Sequence, residues 1–98
     1  MNKYQEIMEA RKLLRLRESA TMEEIKSNYR TLLSEWHPDK CLENQERRNE
    51  MTRKIISAYK IIMHYCQHYQ YSFSEEAVKR HLSPEEWWFE HFGGETLY

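Results

Sequence analysis

The sequence predicts an all-α protein, and three observations carry that prediction. Its 98 residues include only two glycines and two prolines, too few for a chain built of hairpins. Charged residues make up 32% of the chain. Apolar residues recur every three or four positions, the spacing that lines one face of a helix. A chain of this length supports one small core and little more.

The first helix is expected from about Lys3 to Leu14. There Tyr4, Ile7, Met8 and Leu14 share one face, with Ala10 close by, while Lys3, Glu6, Glu9 and Lys12 point elsewhere. A second helix starts at Thr21-Met22-Glu23-Glu24, where Thr at the N-cap and Glu three residues on can satisfy orphan amide donors reciprocally. Its apolar positions are Ile25, Tyr29, Leu32, Leu33 and Trp36. Pro38 disfavours α geometry at His37, so this helix ends at about Trp36. Cys41 to Asn44 reads as a loop. Met51, Ile55, Ala58, Tyr59, Ile62 and Cys66 then form the stripe of a long third helix reaching about His68. The two long helices pair antiparallel and bury their stripes against each other, with the first helix packed across them.

Residues 1–70 thus form the body, and 71–98 form a helical C-terminal extension with one or two short helices. Ser74 precedes Glu75-Glu76-Ala77-Val78, and Ser83-Pro84-Glu85-Glu86 combines a cap, a first-turn proline and a capping box, with Gly93-Gly94 ending the helix. At helical spacing Trp87, Trp88, Phe89 and Phe92 form an apolar face expected to pack back on the body. The alternative is an exposed patch for a client or partner protein, with Trp87, Trp88 and Phe92 as its contacts.

Composition narrows the function classes. The net charge of -1 argues against a nucleic-acid binder, although Met1 to Gln70 carries 13 Lys or Arg against 10 acids and Tyr71 to Tyr98 carries 2 against 6. No apolar run approaches a membrane span, and the charged opening from Met1 to Ala10 does not read as a signal peptide. Cys41 and Cys66 are expected as reduced thiols in a cytoplasmic monomer. His64, Cys66 and His68 invite a zinc reading, but Cys66 points away from the histidine pair and no fourth ligand is evident, so neither metal nor cofactor is expected. An enzyme using His37 and Asp39 for acid-base chemistry is disfavoured, because an exposed corner offers no pocket.

At the end of the second helix stands His37-Pro38-Asp39-Lys40. Its context is ordered: Leu13-Leu14-Arg15-Leu16 at the end of the first helix, Thr21 to Lys26 at the start of the second, Tyr29-Arg30 and Leu32 in its middle, and Ala58-Tyr59 in the third. With these motifs the segment from about Leu13 to Cys66 resembles the J domain of the DnaJ co-chaperone family, whose signature is the tripeptide His-Pro-Asp. The resemblance implies a helical hairpin with that tripeptide in its loop. It implies a non-enzymatic co-chaperone that docks on a DnaK-class heat-shock chaperone and stimulates its ATP hydrolysis. Carried over, the contacts are His37, Pro38 and Asp39, with Lys26, Tyr29 and Arg30 on the second helix.

The chemistry suits that role. Pro38 stiffens the corner, which limits the entropy lost on docking. Asp39 can pair with an arginine, and neutral His37 offers one donor and one acceptor. Lys26 and Arg30, four apart, are helical neighbours suited to steering an acidic surface. The chain departs from the family pattern at Thr31 and Glu35, where Lys or Arg is common, at Arg15, where Gly is usual, and at Thr52, where a core Phe is common. The first two weaken the expected attraction. A J-like interaction scaffold with little or no ATPase stimulation, binding a partner through its aromatic tail, is therefore the alternative expectation.

Overall fold

A computed structural model describes residues 1–82 together with Glu85 and Glu86. In chain order the helices are α1, Lys3–Leu13, α2, Met22–Glu35, α3, Gln45–Gln67, and α4, Glu75–Arg80. Among the described residues there is no strand, and no helix is long and apolar enough to cross a membrane.

Each helix begins where a side chain supplies the missing acceptor. Asn2 caps α1 and exchanges bonds with Gln5 in a complete capping box. Asn44 caps α3 through Arg47 N at 2.8 Å, and Ser74 caps α4 through Ala77 N at 3.2 Å. Thr21 caps α2 by accepting from Glu24 N at 3.1 Å. The reciprocal half expected of Glu24 does not form; its carboxylate lies 3.5 Å from Arg17 Nη2 instead. An ion pair with the α1–α2 loop replaces the second capping bond.

α2 and α3 run antiparallel, because Tyr29 stacks on Tyr59 while Trp36, later in α2, meets Arg47, earlier in α3. The core consists of Ala10, Leu14 and Leu16 from α1 and the segment after it, Ile25 and Leu32 from α2, and Ile55, Ala58 and Ile62 from α3. Leu14 and Ile55 are fully buried. α3 is the common surface: α1 packs on it extensively and α2 along a narrower seam. The stripe on α1 is shorter than its sequence periodicity suggests. Tyr4 is exposed, and Ile7 and Met8 are half-buried. Leu16, beyond the helix end, takes the missing place in the core.

In the extension, α4 forms at the predicted capping signal, and none of its residues is buried. Glu85 and Glu86 are helical. Ser83, Pro84, Gly93-Gly94 and the aromatic face of Trp87, Trp88, Phe89 and Phe92 lie outside the described residues.

Since Ile55 has no exposed surface and touches a small core, Ile55→Ala is expected to destabilise the fold by about 2–5 kcal/mol in urea unfolding. An equally large loss from Tyr4→Ala would contradict this placement of the core.

Candidate functional site

The turn after α2 is built by its own backbone and side chains. His37 N donates to Ser34 O at 3.1 Å, and the His37 carbonyl accepts from both Lys40 N and Cys41 N at 2.9 Å. Asp39 N donates to His37 Nδ1 at 3.2 Å. That bond assigns the proton of neutral imidazole to Nε2, which leaves an N–H donor on the outward side of the ring. Pro38 contributes no donor, so the corner has no amide to satisfy at its apex. The His37 and Asp39 side chains are 59% and 89% exposed, and the Asp39 carboxylate lies 3.6 Å from His37 Nδ1. Leu42, just beyond, is fully exposed.

The supports of this corner lie behind it. Trp36, which caps the end of α2, is half-buried, and the guanidinium of Arg47 at the start of α3 sits 5.7 Å from its ring centroid. One turn and more away, the rings of Tyr29 and Tyr59 stack with centroids 3.8 Å apart and planes 2° from parallel. Tyr29 is half-buried against α3. Thr52 lines a cleft of about 380 Å³ with Leu33, Trp36, His37 and Pro38.

Charge on α2 falls mostly on two flanks, with Glu23 the exposed acid one turn before Lys26. Lys26 and Arg30 are exposed, and among the described residues neither side chain enters an ion pair or hydrogen bond. Continuing the same i, i+4 row, Ser34 accepts a bond from Lys40 Nζ at 2.9 Å. A third cation thus closes the row at the corner. Sequence reasoning missed it, because Lys40 lies in the turn and only the fold lays it back on Ser34.

The other flank faces the α1–α2 loop. Glu24 meets Arg17, Asn28 Nδ2 donates to the carbonyls of Leu14 and Arg15 at 3.0 and 3.1 Å, and Glu35 meets Arg15. The last pair is a fork: Nη2 to Oε2 at 2.9 Å and Nη1 to Oε1 at 3.1 Å. Thr31 falls between Asn28 and Glu35 in this row, so both expected cations missing from α2 belong to the loop-facing flank. Arg15 has φ 56, the left-handed region that favours glycine. Holding a non-glycine residue there costs on the order of 1–3 kcal/mol. The exposed ion pair returns only about 0.2–1 kcal/mol.

Among the described residues no group of three or more His, Cys, Asp and Glu is arranged to hold a metal. The rings of His64 and His68 stack at 4.1 Å, and His68 Nδ1 lies 2.9 Å from the His64 carbonyl oxygen. Burial pushes the Cys66 thiol above its ordinary value, which disfavours the thiolate a zinc ion requires.

A second surface lies where α1, the start of α2 and the end of α3 meet. A largely apolar groove there is lined by Tyr4, Met8, Ile25, Tyr65, Tyr69 and Tyr71, among others. Tyr65, Tyr69 and Tyr71 contact one another edge to face, at 5.8 and 5.5 Å between successive centroids.

Comparison with known proteins finds one family along most of the chain. The family model described as the DnaJ domain matches residues 9–71. The chain is 30% identical over 83 residues to DnaJ protein P58IPK homolog B of Oryza sativa, an alignment spanning 85% of this chain and 18% of that protein. It is 42% identical over 43 residues to the chaperone protein DnaJ of Thermotoga maritima, covering 44% of this chain and 12% of that one. It is also 36% identical over 50 residues to DnaJ homolog subfamily B member 6 of Gallus gallus, covering 51% and 15% respectively. The chain therefore spans less than a fifth of the length of these relatives. No solved structure matches it.

Because the side chains of His37 and Asp39 point outward, His37→Gln and Asp39→Asn should leave unfolding free energy within about 0.5 kcal/mol of wild type. A urea titration showing a loss of several kcal/mol would make the corner part of the fold's support instead of a free contact surface.

Proposed function

This chain belongs to the DnaJ domain family, and from that premise we propose that it is a co-chaperone that docks on a DnaK-class heat-shock chaperone and stimulates its ATP hydrolysis. The observation that carries this reading is the outward-facing His37-Pro38-Asp39 corner at the end of a helix whose Lys26 and Arg30 have no ion pair or hydrogen-bond partner for their side chains among the described residues.

The division of work follows from the chemistry. The chain supplies no catalytic group; hydrolysis belongs to the partner. Lys26, Arg30 and Lys40 give the outer row of α2 a positive field that speeds encounter with an acidic surface. Asp39 then pairs with a cation of the partner, and His37 Nε2–H donates to an acceptor there. Pro38 keeps both side chains pre-set, so binding energy is not consumed in ordering the turn. Tyr29, stacked on Tyr59, offers only its rim. In this reading the chain works as a monomer in the cytoplasm and needs no metal or cofactor.

Purified protein added to such a chaperone should accelerate ATP hydrolysis, and the acceleration should vanish for His37→Gln while the fold is retained. Full stimulation by His37→Gln would refute the role assigned to the corner.

The exposed tyrosines Tyr65, Tyr69 and Tyr71, followed by the exposed Phe73, support a second reading in which the body is a scaffold. In it the chain binds a client or partner protein through the far groove and the aromatic tail, Trp87, Trp88 and Phe92. Capture of a partner that survives Asp39→Asn but is lost on Trp88→Ala is the expected signature of that reading. The reverse pattern places binding at the corner.

A further inference from the structure

Arg15 and Glu35, two departures from the DnaJ pattern, are in direct contact. Arg15 is held in the left-handed region by a dense set of bonds. Its amide donates to the Lys12 carbonyl, Leu16 N donates to Arg11 O, Arg11 Nη1 donates to Leu16 O, and Asn28 Nδ2 clips the carbonyls of Leu14 and Arg15. A glycine would satisfy the same backbone without strain. The pair that Arg15 makes is exposed, at 60% for its own side chain and 44% for Glu35, so its contribution to folding is too small to account for the strain.

What the pair does alter is the charge two residues before His37. Glu35 unpartnered would put a carboxylate beside a corner whose neighbouring cations, Lys26, Arg30 and Lys40, attract an acidic surface. The guanidinium of Arg15 cancels it from the loop. Arg17 stands in the same relation to Glu24 at the other end of α2, at 3.5 Å. Glu23, the remaining acid of α2, is exposed and has no ion pair among the described residues. The cation usual on the loop-facing flank of α2 has thus been transposed to the α1–α2 loop.

We propose that Arg15 is a specificity-determining residue for chaperone docking: paired with Glu35, it holds the loop-facing flank of α2 neutral beside His37, so that the α1–α2 loop sets the attraction to the partner. This rests on the reading of the corner as a chaperone-docking site. It makes the α1–α2 loop, outside the His-Pro-Asp turn, part of partner choice. A chaperone with a strongly acidic docking surface is favoured over one whose surface is nearly neutral.

The test measures the concentration of purified DnaK giving half-maximal ATPase stimulation by the full chain. Arg15→Gly should raise that concentration roughly two- to five-fold with the maximal stimulation unchanged, and Glu35→Gln should lower it by a similar factor. The double variant should return close to wild type. All these differences should shrink as salt is raised, since the groups are exposed. Arg15→Gly should melt no lower than wild type, which separates docking from folding. Half-saturation by Arg15→Gly equal to that of wild type would overturn the inference, as would an Arg15→Gly defect that persists in the double variant. In both cases loss of stimulation in His37→Gln leaves the parent reading standing. Absence of stimulation by the wild type would remove the parent reading and this inference together.

Discussion

The antiparallel seam between α2 and α3 is the constraint on which the site depends, and aromatic rings close it at two levels. Tyr29 lies flat on Tyr59 in the middle of α2, and Arg47 covers Trp36 at its end. Since α2 shares less contact with α3 than α1 does, these two contacts fix the helix more than their number suggests. An aromatic ring pair adds about 0.5–1.5 kcal/mol beyond area burial, and a cation over an indole about 0.5–1 kcal/mol at an exposed site. Without them the second half of α2 would be anchored by little beyond Leu32 and Leu33. With them, the turn that follows Trp36 leaves the hairpin in one direction, and its local hydrogen bonds fix the rest.

The same helix carries its charges in rows. Its outer row begins at the exposed Glu23, presents Lys26 and Arg30 and ends on Lys40, laid across Ser34. Its loop-facing row presents acids that the loop arginines cover. Exposed charges contribute little to folding at either row. Their arrangement therefore matters for what approaches the hairpin. The groove with Tyr65, Tyr69 and Tyr71 lies at the opposite end from the corner, because α3 turns its C-terminal end toward α1 and the start of α2. A corner and a groove at separate ends let one small body hold two contacts without overlap.

Much of this was legible in the chain. Helix starts were marked by Thr21 and Ser74 and the second helix end by Pro38, because caps and prolines act within a turn of where they stand. The stripe Ile55, Ala58, Ile62 announced the buried face of α3. Less legible were features that need distant segments to meet. Periodicity placed Tyr4 with the α1 core, but α1 reaches α3 with its second half, and Leu16 in the following turn fills the space. The pairing of Glu24 with Arg17, in place of the capping box, depends on how the loop folds back. Lys40 reads as an ordinary loop cation until it meets Ser34, and neither Arg15 nor Glu35 predicts the other across 20 residues. The corner itself was legible as a motif, whereas its internal bonding, with Asp39 N on His37 Nδ1, was not.

In the proposed function a partner chaperone contacts the His37-Pro38-Asp39 corner and the basic row leading to it. The most direct measurement is a titration of the isotope-labelled chain with the ATPase domain of a DnaK-class chaperone, followed residue by residue by NMR. Shifts are expected to concentrate at Lys26, Arg30 and His37 to Lys40 and to disappear for His37→Gln. Shifts confined to the groove around Tyr65, Tyr69 and Tyr71, with the corner unmoved at saturation, would contradict that function.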